Sequence, residues 1–196
     1  MDAVCRDGAA LRGGRYLGFL LYEVQTNPVM FADEYGNRYQ VKSRDSLTCC
    51  LMGRDDTCTN VNLYIEPHIL YRGVRYRVVE IASEDAFKGD NRLQTLCLPH
   101  SLRRIGNCAF RECQQLIVAD IPDEVTSMGS MVFWGCSRLT DVYNDVEEPQ
   151  RVVRLFGTET ARHIVLHVPA PSVDAYKKAE CWNEVKCIVP TSGDDE

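Results

Sequence analysis

Apolar positions in the middle of this chain recur every 23 residues. Ala86-Phe87, Ala109-Phe110 and Val132-Phe133 stand at that interval, and Leu93, Leu116 and Leu139 follow each Phe six residues later. An apolar residue precedes each pair (Ile81, Ile105, Met128), with the first interval longer by one. After each Leu the spacing becomes that of a short strand: Leu96 and Leu98, then Ala119 and Ile121, then Val142 with Asn144. Pro99 and Pro122 close the first two phrases. The inward set is therefore Ile81, Phe87, Leu93, Leu96, Leu98, Leu102 and their counterparts one and two periods on. At about 1.5–3 kcal/mol for each fully buried large side chain, one such unit cannot offset the entropy of ordering itself. Stacked neighbours can, so the units have to be taken together.

A fixed period of roughly 20–30 residues with Leu-x-x-Leu-x-Leu spacing marks a leucine-rich solenoid. The expected fold class is mainly β with short helices: a leucine-rich-repeat solenoid of three good 23-residue repeats and one degenerate repeat, between an N-terminal β cap and a C-terminal helical cap. In the degenerate unit Phe156 stands in for the repeated Phe, and Val165-Leu166-His167-Val168-Pro169 restores the strand-then-Pro phrase. The expected divisions are a β-rich capping region over 1–78, the solenoid over 79–169, a helical cap over 170–190 and an acidic tail over 191–196.

Residues 1–78 lack the period. Their alternating apolar stretches, broken by turn residues, predict antiparallel strands. Tyr35-Gly36-Asn37 separates two of them, Val61 to Ile65 alternates and stops at Pro67, and Arg72-Gly73 turns the chain into Val74–Val78. Gly53-Arg54-Asp55-Asp56 is expected to be an exposed loop. Tyr16 to Tyr22 is expected to be a strand; at seven residues the run stands at the lower edge of a signal-peptide core, the lesser alternative, and no small-x-small site follows it. Ser172 is expected to cap a helix over 172–179, with Asp174 near its positive end and Lys177 and Lys178 near its negative end. Trp182, Val185 and Ile188 are expected to pack on the last coil.

Charge narrows the partners. The net charge of −6 is uneven, because residues 79–196 carry twelve basic and nineteen acidic side chains, a net of −7. An acidic repeat region repels phosphate backbones and has no polybasic patch for a membrane surface. No apolar run approaches the ~20 residues that cross a bilayer. The ten cysteines include no Cys-x-x-Cys pair. Reduced thiols filling narrow gaps between coils, one or more disulfides, and a zinc site all stay open, with Cys113 and Cys136 sharing one phase of the repeat.

The phrases Leu98-Pro99-His100-Ser101-Leu102 and Ile105-Gly106-Asn107-Cys108-Ala109-Phe110-Arg111-Glu112-Cys113-Gln114-Gln115-Leu116 resemble the BspA-like family of leucine-rich repeats. The ending from Leu166 to Lys177 with Trp182 is similar to that family's last strand and closing helix, and Tyr71 to Tyr76 to its opening hairpin. The resemblance covers about residues 61–190. It implies a bacterial, Bacteroidetes-type protein held at the cell surface or secreted, with an adhesin-like role toward a host or bacterial surface protein. Two departures bear on that: no signal peptide is visible, which leaves a cytoplasmic location open, and the array is short.

Catalytic groupings are not evident. The four histidines (His68, His100, His163, His167) accompany no nucleophile elbow or phosphate-cradling loop, and Glu147-Glu148 and Asp55-Asp56 fall in loops. The chain is therefore expected to be no enzyme, with no cofactor and no metal. Along a strand, residues between the inward ones face the other way. Across the repeats these are Thr95 and Cys97, Val118 and Asp120, Asp141 and Tyr143, Val165 and His167. They form the candidate partner-binding strip, with Tyr143 as its anchor, against the plainer reading of a solvated sheet face. Cys97, Asp120 and His167 mix metal-ligand types, but the outer two are three strand spacings of ~4.8 Å apart. The expected function is non-enzymatic protein–protein interaction; the alternative is an intracellular scaffold or assembly subunit with reduced cysteines.

Overall fold

The structure, a computed structural model, describes residues 28–191 apart from 57, 84 and 85. The expected strand over 16–22 and the tail from 192 onward lie outside the described residues. The chain divides into two units, Met1–Met30 and Phe31–Glu196.

From Met30 onward the described residues build two sheets. One contains β1 (Met30–Ala32), β2 (Asn37–Ser43), β3 (Thr48–Arg54), β5 (His68–Tyr71), β6 (Val74–Ile81), β8 (Arg104–Ile105) and β10 (Ser127–Met128), in the order β1-β2-β3-β6-β8-β10 with β5 beside β6. The other contains β4 (Asn62–Tyr64), β7 (Thr95–Cys97), β9 (Val118–Ile121), β11 (Asp141–Asn144), β12 (Val165–Val168) and β13 (Cys187–Pro190), in the order β13-β12-β11-β9-β7-β4. Every neighbouring pair in this second sheet is parallel. Helix is confined to short pieces, α1 (Thr158–Ala161) and α2 (Val173–Lys178), the latter entered through a 3-10 turn at Ala170–Ser172. The fold is mainly β, of the leucine-rich-repeat type.

Between the sheets the repeated apolar positions meet. Leu93, Leu96, Ile105, Phe110, Leu116, Ala119, Phe133, Leu139, Val142 and Leu166 have no exposed surface. The repeated Phe residues stack on one another: Phe87 on Phe110 at 5.2 Å, Phe110 on Phe133 at 5.8 Å, and Phe133 on Phe156 at 6.0 Å. Phe156 thus occupies the place expected of it, and the edge of Trp182 closes the column. The thiols of Cys113 and Cys136 donate to the carbonyls of Phe87 and Phe110 at 3.0 and 3.1 Å, which ties each coil to the one before it. Nine cysteines among the described residues are free thiols.

The backbone repeats more strictly than the sequence. Cys108, Met131 and Arg154 are 23 residues apart and all take a positive φ, and so do Gly89, Glu112 and Gly135. Gly106 must lack a side chain, since a Cβ there would stand 2.3 Å from the amide nitrogen of Ser83 on the preceding coil. Asn144, at an inward position where apolar residues are the rule, is buried and satisfied: it donates to Gln150 Oε1 at 3.0 Å, and Gln150 donates to the Val125 carbonyl at 3.0 Å. Tyr176 and Trp182 reach the same region, donating to the carbonyls of Val146 and Gln150.

Three expectations are corrected. Strands before residue 78 are not all antiparallel: β2–β3 and β5–β6 are, but β3 pairs β6 in parallel and β4 pairs β7 in parallel. The β5–β6 hairpin does turn at Arg72-Gly73, both at positive φ, as a two-residue hairpin loop requires. Gly53 and Arg54 end strand β3 instead of forming an exposed loop, because the Arg54 side chain, 2% exposed, is paired with Asp90. Ser172 makes no capping hydrogen bond; it is buried in the 3-10 turn and the helix starts at Val173.

Candidate functional site

The all-parallel sheet sets the outward residues in register. Its inward row, Leu96, Ala119, Val142 and Leu166, is sealed in the core, so the alternate positions must face out. Thr95, Val118, Asp141 and Val165 stand side by side in one row, and Cys97, Asp120, Tyr143 and His167 in the next. All eight are partly exposed. The structure thus brings together every residue of the candidate strip. It also extends both rows: Asn62 and Tyr64 of β4 continue them beyond Thr95 and Cys97, and Cys187 and Val189 of β13 beyond Val165 and His167.

The strand over Val61 to Ile65 was expected, but neither its place in the parallel ladder nor β13 was read from the sequence. A signal for β4 was present, since Leu63-x-Ile65-x-Pro67 paraphrases Leu96-x-Leu98-Pro99. The β5–β6 hairpin stretches that interval to 33 residues and hides the period. For β13 the only cue was the apolar pair Ile188-Val189 after Trp182.

Toward its C-terminal end the face carries an oriented group. The rings of Tyr143 and His167 lie parallel, 4.2 Å between centroids and 11° between planes. His167 Nε2 donates to Asp141 Oδ1 at 3.0 Å, and Thr140 Oγ1 donates to the other carboxylate oxygen at 2.8 Å. The hydrogen bond from His167 holds the Asp141 carboxyl below the usual carboxylate range. Tyr143 is thereby fixed by stacking against a ring that is itself held by a carboxylate. Such a preset aromatic loses little rotamer freedom on contact.

A second group gathers where the strands end. His100 Nδ1 lies 3.1 Å from Asp123 Oδ1, and that hydrogen bond raises the imidazole pKa. Burial, then the neighbouring charge of Asp145, raises Asp120; burial, then Asp123, raises Asp145. Burial also raises the Cys97 thiol, helped by Asp120. The sheet therefore concentrates negative charge beside its aromatic pair. Two strands, β9 and β11, separate Cys97 from His167, and His167 is taken by Asp141. Among the described residues no group of three His, Cys, Asp or Glu side chains is arranged to hold a metal ion.

At the β4 edge the face runs into a cavity of about 570 Å³, walled by the loop after β1, the chain after β3, and strands β4 and β5. Tyr35, Tyr64 and Leu70 line it and are 59%, 63% and 67% exposed. Nothing in the sequence pattern announced it, because its walls come from segments with no shared period.

Comparison with known proteins agrees with this geometry. Residues 77–148 match the BspA type leucine rich repeat region, in six copies. A leucine-rich repeat protein from Bacteroides ovatus superposes with a TM-score of 0.55 at 21% identity, over 82% of this chain and 37% of that one. A leucine-rich repeat protein from Bacteroides capillosus gives 0.56 at 17% identity, over 84% of this chain and 98% of that one. The chain thus spans about a third of the length of the first and nearly all of the second, and at these identities the likeness is one of fold. No curated protein matches the chain. No helix among the described residues is long and apolar enough to cross a membrane. The repeat period, the parallel ladder and the family match converge: residues 77–148 carry BspA-type leucine-rich repeats.

Proposed function

We propose that the chain is a non-enzymatic protein-interaction module that binds a protein partner on its parallel strand face. The observation that carries this is the Tyr143–His167 stack, pinned by Asp141 on the second and third strands from the C-terminal edge of a six-strand strip. A solvated sheet face has no need of a preset aromatic anchor, whereas interfaces concentrate their energy in such residues. In this reading the array consists of three full 23-residue coils and a degenerate fourth over 79–169. Residues 1–78 cover its first coil, with β4 already contributing a strand, and residues 170–190 close the other end. The family resemblance supports a place at the bacterial cell surface, with an adhesin-like role.

A photo-crosslinking residue at position 143 tests the face, with one at Val153, an exposed residue outside the sheet, as the control. A discrete adduct in source cells from position 143 alone is expected, and it should vanish when Asp120 and His167 are both alanine. Equal adducts from the two positions would sink the proposal. Protease shaving of intact cells tests the location: release of its peptides before lysis supports the surface.

A second reading is favoured by one observation, the nine free thiols among the described residues. Oxidising compartments tend to convert thiols to disulfides. The rival is a reduced intracellular scaffold using the same face, and full protection from shaving until lysis would select it.

A further inference from the structure

The cavity beside β4 identifies the chemistry of the partner. We propose that it receives a lysine or arginine side chain of a protein partner lying along the strand face, a proposal that rests on the strand-face reading. Three observations converge on a cation with an aliphatic stem.

Large exposed apolar side chains gather at this cavity. Tyr35, Tyr64 and Leu70 all line it, and exposed clusters of this kind around a concavity mark interaction sites. The two tyrosines offer ring faces to a cation and the leucine offers a wall to methylenes.

Its unpaired charge is of one sign. Glu34 and Glu66 line the cavity, are exposed, and have no ion-pair or hydrogen-bonding partner among the described residues. The remaining carboxylate, Asp33, is consumed by the amides of Tyr35 and Asn37, the Asn37 side chain and the Tyr39 hydroxyl. Arg54 is the one arginine or lysine in the wall, and its charge is matched by Asp90 at 2.5 Å. The two free carboxylates are therefore uncompensated and in place to receive a positive charge.

The cavity is also continuous with the strip. Tyr64 belongs to both, standing in the row of Cys97, Asp120, Tyr143 and His167. A segment crossing the sheet in that row would pass Asp120 and end at the cavity mouth, so its basic residue meets acid at both points.

The test uses the whole chain, labelled with ¹⁵N, and the probe N-acetyl-arginine amide, with N-acetyl-citrulline amide as the uncharged isostere. The expected result is a set of saturable shifts confined to Tyr35, Asn60, Tyr64 and Glu66, with citrulline binding about tenfold weaker, the sum of an exposed ion pair and a cation–π contact. Glu34→Gln with Glu66→Gln should weaken the arginine probe several-fold, and Tyr64→Ala likewise, with unchanged spectra elsewhere reporting an intact fold. Val153→Ala, outside both the sheet and the cavity, should leave the probe's affinity unchanged. Equal affinity for citrulline, indifference to the glutamate changes, or no saturable shift at tens of millimolar would each overturn the cavity proposal. Cavity binding that persists while crosslinking at position 143 fails would instead locate the error in the strand-face reading.

Discussion

Asp90→Asn isolates the value of the buried ion pair that joins β3 to the first repeat. Arg54 is 2% exposed and Asp90 8% exposed at the side chain, and Arg54 Nε donates to Asp90 Oδ2 at 2.5 Å. Arg54 Nη1 donates to the Asn60 carbonyl, and Asp90 Oδ1 accepts the Arg92 amide at 3.1 Å. Burial alone would weaken both ionised forms. The hydrogen bond and charge between them prevail, holding Arg54 above and Asp90 below their ordinary values. An asparagine preserves the shape and the Arg92 contact but leaves the guanidinium buried without a counter-charge. Nη2 already lacks an acceptor, so the arginine has no spare bond to fall back on. Breaking such a pair from one side costs about 3–5 kcal/mol, and the isosteric change belongs near the lower figure.

The assay is urea unfolding at pH 7, followed by near-ultraviolet circular dichroism from Trp134 and Trp182, with the slope checked for a single transition. A carboxyl with a depressed folded-state pKa contributes stability above its unfolded pKa and loses it as pH falls through the folded value. The gap between wild type and Asp90→Asn should therefore close in acid, below the ordinary carboxylate range. Removing both charges, as Arg54→Met with Asp90→Asn, should recover most of the loss, because the penalty belongs to the orphaned charge. A loss under about 1 kcal/mol at neutral pH, or one that persists unchanged in acid, would refute the reasoning.

Other consequences follow from the same packing. Phe110→Leu keeps an apolar side chain but removes two ring contacts, so it should cost about 2 kcal/mol by urea midpoint, and Phe87→Leu, with one ring neighbour, about half that. Burial pushes the Cys49, Cys50 and Cys113 thiols up to about 12, and Cys136 higher still. Mass-resolved alkylation at pH 8 should therefore modify exposed Cys187 first and these four only at the rate of unfolding. Asp120 keeps its proton to a higher pH in the folded chain than in the unfolded one, so it costs stability as pH rises through that window. Asp120→Asn should flatten the decline between mildly acidic and neutral pH, and an unchanged pH profile in thermal melts would contradict the burial argument.

How much of this could be read beforehand depended on which side of the backbone a residue faces. Phe87, Phe110 and Phe133 must interlock with copies of themselves, so their spacing was visible as a period, and the register of the strand face followed from it without a structure. Phe156 was recoverable for the same reason, although its surroundings share little with earlier repeats. β4 was expected as a strand, but its place in the ladder was missed because a hairpin is inserted between it and the next coil, and a search for equal spacing cannot see across an insertion. Arg54 was misplaced for a different reason: Gly-Arg-Asp-Asp has the composition of a loop, and only the distant Asp90 makes burial of its arginine tolerable. Ser172 failed as a cap because the chain enters α2 through a tight turn that buries its side chain.

The outward residues obey no such rule, and the proposed binding strip is drawn from them. Inward positions are constrained by neighbouring coils, so they converge on Leu, Phe, Val and Ala. Outward positions need satisfy only solvent or a partner, and here they read Tyr64, Cys97, Asp120, Tyr143 and His167, a row mixed in charge and shape. A solvated face under no demand would tolerate small polar residues throughout. Instead this one holds an aromatic pair locked by a carboxylate, beside aspartates whose burial and mutual repulsion work against their own ionisation. Strained negative charge of that kind is relieved by an approaching cation, and the same holds for the unpaired Glu34 and Glu66 at the far end of the row. The aspartates and the cavity thus call for one kind of partner, and binding it should raise the stability of the chain more at neutral pH than in mild acid, where Asp120 and Asp145 take up protons instead. Melting the chain with and without a short polyarginine peptide across that pH range measures the difference, and an equal shift at every pH would separate the cavity from the aspartates.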